Sequence, residues 1–101
     1  MNKIIEINNN KYEVVRDYKE GFNLDLVNEK YTDYFESYDY IFGDYSYDKL
    51  RLKGFNDKSN SKFSKINDIS ILDDYIKEYC SYECRYFLLK KVKWLIFFCH
   101  S

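Results

Sequence analysis

The chain has a single histidine, His100, three glycines, three cysteines and neither proline nor alanine in its 101 residues. No glycine-rich phosphate loop, no G-x-S-x-G and no Cys-His pair outside the last residues is present, so the recognisable nucleotide-binding and nucleophilic constellations are excluded. Catalysis is left only to Tyr, Lys and carboxylates, and the expectation is a non-enzyme. An odd set of cysteines, Cys80, Cys84 and Cys99, argues against a secreted disulfide framework and for reduced thiols. Cys80 and Cys84 lack C-x-x-C spacing, and further metal ligands would have to come from Cys99 and His100, so the pair reads as buried structural thiols. Neither a metal nor another cofactor is expected. Nothing at Met1–Asn10 resembles a signal peptide, and the only long apolar run, Trp94–Cys99, falls far short of the ~20 residues that span a bilayer. The expectation is a cytoplasmic chain with no membrane contact. Missing Pro and Ala, beside abundant Asn, Lys, Ile and Tyr, point to A+T-rich codons; aromatic and basic content therefore argues less strongly for nucleic acid than it would in an unbiased chain.

What remains is ample for a core: 46% of residues are hydrophobic, 21% aromatic and 33% charged, which fits one soluble globular domain. Residues 1–92 read as that domain and residues 93–101 as an apolar tail. The net charge of −1 conceals a split: 5 Lys/Arg face 11 Asp/Glu in residues 1–48, against 11 and 6 in residues 49–101. An acidic and a basic region are expected on one surface.

Ile4–Ile7 and Tyr12–Asp17, joined across Asn8-Asn9-Asn10, predict a β-hairpin, because Asn tolerates positive φ. Asn23 is a candidate N-cap for a helix whose stripe runs Leu24, Val27, Tyr31, Tyr34, Phe35, Tyr38, with Asp25, Glu29, Asp33 and Glu36 opposite. Asp39–Asp44 predicts a strand, Tyr45–Asp48 a turn and Lys49–Phe55 a second strand. Asn56–Asn67 reads as a surface loop, and Ser70-x-x-Asp73 as the capping pair of a second helix with Leu72, Tyr75, Ile76, Tyr79 and Cys80 inward. Ser81–Glu83 would turn the chain into a last strand, Arg85–Leu89, apolar on both faces and hence interior. The order β-β-α-β-β-α-β defines an α+β domain with a mixed or antiparallel sheet and two helices packed on it.

Four segments, Y-K-E-G-F-N at Tyr18–Asn23, Y-D-Y-I-x-G-D at Tyr38–Asp44, L-R-L-K-G-F at Leu50–Phe55 and D-Y-I-x-E-Y-C-x-x-x-C-x-Y-F-x-L-K-K at Asp74–Lys91, resemble the YutD-like family of small proteins from low-GC Gram-positive bacteria. The resemblance runs from Ile4 to Lys91 and ends before the apolar tail. It implies a compact α+β bacterial, cytosolic domain and carries no catalytic residues with it.

Two binding readings stay open. Lys49, Arg51 and Lys53 with Phe55 form a basic strand face, which Arg85, Lys90 and Lys91 could extend; cationic side chains beside an aromatic platform suit RNA or DNA. Alternatively, the acidic helix face and the tyrosine-rich turn at Tyr45 and Tyr47 would dock a cytosolic protein partner. Asp39, Asp44 and Asp48 read as turn-forming and solvated rather than as Mg²⁺ ligands. An apolar tail strand would also allow self-association across a two-fold.

Overall fold

The computed structural model describes residues 3–79 and 84–92. Two antiparallel hairpins are built first: β1 (Lys3–Ile7) with β2 (Asn10–Tyr18), and β3 (Tyr40–Ser46) with β4 (Lys49–Phe55). Each closes through two residues at positive φ, Asn8-Asn9 (52° and 67°) and Tyr47-Asp48 (52° and 63°), the backbone of a type I′ turn. Strand β5 (Tyr86–Lys91) then enters between the hairpins, antiparallel to β2 and β3, giving the order β1-β2-β5-β3-β4. The fold is α+β, with a fully antiparallel five-stranded sheet.

Side-chain alternation divides the core in two. Phe87 and Leu89 of β5 join Tyr12, Val14, Ile41 and Leu50 on the face covered by α1 (Leu24–Lys30) and a 3-10 turn over Asp33–Ser37, which contribute Val27 and Phe35. Leu88 points the other way, to Phe42, Phe55 and Leu72, where α2 (Leu72–Tyr79) lies. No helix among the described residues is long and apolar enough to cross a membrane.

None of the glycines needs positive φ. Gly43 stands opposite Phe87 in the sheet, and the Phe87 ring occupies the space a Cβ would take; the Tyr38 ring does the same at Gly54. At Gly21 a Cβ would come within 2.8 Å of the Tyr86 backbone. Two of the segments that carry the family resemblance thus owe their glycines to aromatic rings.

Several expectations are corrected. The single long helix stops at Lys30, since Tyr31 turns extended (ψ 134°) and Thr32 opens the 3-10 turn; tyrosine and a β-branched threonine hold a helix weakly. The break brings the Tyr31 hydroxyl within 3.0 Å of the buried Tyr12 hydroxyl. Strand β3 runs on to Ser46, so the turn is Tyr47-Asp48 alone. Asn56–Asn67 is tied down rather than loose: Asn60 Nδ2 donates to the Ser37 carbonyl and to Asn56 Oδ1, while Asn67 Oδ1 accepts the Ser64 amide. Ser70 is not the α2 cap: it lies inside a 3-10 turn, Ile69–Ile71, that leads into α2, and that turn is capped by the Asp68 carboxylate, which accepts the Ser70 amide at 2.9 Å. Cys84 is disulfide-bonded instead of a free thiol. The expectations for Cys80, for the Ser81–Glu83 turn, and for the tail and self-association through it lie outside the described residues.

Gly43→Ala should cost about 1–3 kcal/mol, the usual penalty of overpacking, read as a lower urea midpoint at unchanged slope. A loss within about 0.5 kcal/mol, the range of neutral surface changes, would contradict the ring-over-glycine contact.

Candidate interaction site along strand β4

β4 is an outer strand, so one row of its backbone groups has no neighbour in the sheet. The Asn56 amide, one residue past the strand, donates to the Asn67 carbonyl at 2.6 Å, and the Asn56 carbonyl accepts the Ile69 amide at 3.0 Å. Asn56 therefore faces outward, and the two-residue alternation makes Gly54, Leu52 and Leu50 face outward as well. The tight turn gives the same phase: Ser46 and Lys49 flank it as a bonded pair, which puts Asp44 with Arg51 and Phe42 with Lys53 in bonded positions.

Side chains of the inward-bonding residues project onto the α2 face. Arg51 grips Asp44 directly across the strands, Nε to Oδ1 at 3.0 Å and one terminal nitrogen to Oδ2 at 2.6 Å. Asp44 is only 2% exposed, and its hydrogen bonds raise the Arg51 pKa above the ordinary value against the opposing effect of desolvation. Lys53 Nζ lies over the rings of Phe55 and Tyr75, at 5.4 and 5.7 Å from their centroids. Phe55 itself is 0% exposed, packed against Phe42 and Tyr75; it cannot serve as the open stacking platform that alternation suggested. The face is open near Lys49 and covered by α2 near Phe55.

The remaining cations diverge. Lys90 lies over the Tyr40 ring on the α2 face, 6.0 Å from its centroid, whereas Lys91 Nζ donates to the Glu36 carbonyl on the α1 face. Arg85 stacks 4.1 Å from the Tyr45 centroid, also on the α1 side. Tyr45 donates its hydroxyl to the Gly21 carbonyl at 2.6 Å, and burial raises its pKa; only Tyr47, 98% exposed, is free to dock from the turn. The three aspartates do not converge: Asp39 accepts the Asp57 amide, Asp44 holds Arg51 and Asp48 sits in the turn.

A groove of about 390 Å³ runs along the β4 edge. Tyr34 and Tyr38, hydroxyls 2.9 Å apart, form its wall on the α1 side; Arg51, Lys53 and Tyr75 form the other, and Ile66 with Asn67 closes the Gly54 end. Tyr34 is 65% exposed and Ile66 76%. Tyr34, Ile66 and the Asp44 carboxylate were not singled out from the sequence as binding or pairing residues. A turn confined to Tyr47-Asp48 is the signal that sets Asp44 opposite Arg51; nothing local marked Ile66.

A family model described as "Putative antitoxin YutD-like" matches residues 6–90. The chain is 46% identical over 90 residues to "Putative antitoxin YutD" of Bacillus subtilis (strain 168), with 89% of this chain and 99% of that protein covered. The solution NMR structure of protein yutD from B. subtilis superposes with a TM-score of 0.75 at 45% identity, over 90% of this chain and 83% of that one.

Arg51→Ala strands a buried carboxylate and should destabilise the protein by about 1–3 kcal/mol, the lower part of that range reflecting solvent at the half-exposed guanidinium. Arg51→Lys should recover less than half, because an ammonium cannot bind both oxygens in a fork. Urea unfolding of the two variants checks this; equal stability of all three proteins would refute the pairing.

Proposed function

The chain belongs to the YutD-like family, and on that premise we propose that it is a non-enzymatic, antitoxin-type module that acts in the cytosol by binding a partner protein. An antitoxin neutralises a toxin, and a surface that docks a folded protein does so with no chemistry of its own. The observation that carries this reading is the groove beside β4, whose walls leave Tyr34 and Ile66 largely exposed, with Tyr47 exposed in the turn at the other end of the hairpin. Aromatic side chains are enriched at the centres of protein interfaces, and monomer surfaces seldom gather them without use.

The basic strand supports a nucleic-acid reading less well. Arg51 already has its counter-charge in Asp44, Phe55 offers no open face, and Lys91 and Arg85 turn to the α1 side. Lys49, Lys53 and Lys90 remain on the α2 face, few cations for a ligand whose affinity grows with each phosphate neutralised.

Depleting the protein in its host should slow growth, and suppressors should fall in a gene whose product co-elutes with the chain after nuclease treatment. Tyr34→Ala with Ile66→Ser should abolish that complex without unfolding the chain. Saturable, steeply salt-dependent binding of short RNA or DNA by fluorescence anisotropy, lost on Lys49→Glu with Lys53→Glu, would overturn the proposal in favour of nucleic acid.

A further inference from the structure

We propose that the outer edge of β4 accepts an extended segment of the partner as a sixth strand, and that this segment alternates acidic with apolar side chains. The inference rests on the protein-binding reading above and specifies how that surface is used.

The protein already performs this pairing on itself for one residue. Asn56 exchanges both backbone groups with the Asn67–Ile69 segment, in a parallel bridge. Before Asp68 the bounding segment is coiled into the 3-10 turn Lys65–Asn67, so it offers β4 no further strand pairing. Leu50 and Leu52 keep outward amides and carbonyls that bond to no other backbone among the described residues, while Gly54 beyond them is buried beneath the Tyr38 ring. The groove lies along the same line, with Gly54, Leu52 and the Tyr34–Tyr38 wall on one side of the edge and Arg51 and Lys53 on the other. An extended backbone satisfies such a row and presents its side chains alternately to the two walls.

Charge decides the occupant. A second copy could add its own β4 across a two-fold, but a register centred on Leu52 sets Arg51 opposite Lys53, one centred on Arg51 sets Lys49 opposite Lys53, and one centred on Leu50 sets Lys49 opposite Arg51. Like charges directly opposite destabilise a strand pair, so β4 is built against pairing with itself. A strand with Asp or Glu at alternate positions meets Lys49 and Lys53 instead. Its other side chains fall beside Leu50, Leu52 and Tyr34, where apolar groups are suited. Arg51, already held by Asp44, stiffens the wall rather than selecting the ligand.

The test uses the full chain and fluorescein-labelled nonapeptides that alternate glutamate with valine and tyrosine. The acidic peptide should bind saturably, its lysine-for-glutamate counterpart at least about tenfold more weakly, and an acidic peptide N-methylated at alternate residues not measurably. Leu52→Pro removes one outward amide while leaving the ladder to β3 intact, and should abolish binding in a protein that circular dichroism reports as folded. Should that variant unfold, slowed amide exchange at Leu50 and Leu52 of the unaltered chain on adding peptide gives the same answer. Equal binding of acidic and lysine peptides, or of the N-methylated one, or slowed exchange elsewhere, overturns the proposal. If the cellular complex depends on Tyr34 and Ile66 yet survives Leu52→Pro, strand addition is wrong and the protein-binding reading stands; nucleic-acid binding in place of that complex removes both.

Discussion

The Phe87 ring can rest on the sheet only because Gly43 has no side chain, and the central strand depends on that contact. β5 is last among the described strands yet pairs with both hairpins, sending Phe87 and Leu89 to one core and Leu88 to the other. Without it, the two hairpins share no ladder. Two layers of helix then follow from alternation alone, since a strand apolar on both faces must be covered twice. The neighbour of Gly43 in sequence, Asp44, points to the opposite face and anchors Arg51. A two-residue step therefore both admits β5 and fixes the charge of β4.

The placement of β4 outermost has a consequence for its surface. Outer strands are usually defended by charge, and Lys49, Arg51 and Lys53 supply it. Here the defence is selective: one cation is matched from within by a buried carboxylate, while the backbone between the cations stays open beside exposed tyrosine and isoleucine. A strand that repels its own copy, but has unpaired amides and carbonyls at Leu50 and Leu52, is the surface on which the proposed partner strand would pair. Asn56, clasped by the 67–69 segment, marks where the open edge ends.

Much of this was legible in the chain. Asn8-Asn9 announced its hairpin, Asn23 its cap, and the unbroken apolar run at Tyr86–Leu89 its central position. The family segments carried the identity, and the glycines within them turn out to be seats for rings. Other features were hidden for physical reasons. Tyr47-Asp48 takes a turn conformation that Asn and Gly favour, so neither residue signalled it, and a four-residue turn in its place obscures the register that joins Asp44 to Arg51. Alternation placed Phe55 correctly beside the cations, but could not tell that α2 covers only that end of the face. A 3-4 stripe cannot distinguish one long helix from a helix followed by a 3-10 turn, and Tyr34 came to the surface in the second half. The asparagines of the 56–67 loop looked like solvent-facing filler until their side chains were found bonded to the backbone.

The central claim is that Leu50 and Leu52 of β4 direct their backbone to an open edge. Residue-resolved amide hydrogen exchange of the free protein addresses it most directly, since exchange reports local hydrogen bonding. The account predicts slow exchange at Arg51, Lys53 and Phe55, fast exchange at Leu50 and Leu52, and a return to slow exchange at Asn56 through its bond to Asn67. Uniform protection from Leu50 to Asn56 would contradict it, because the edge would then be occupied already.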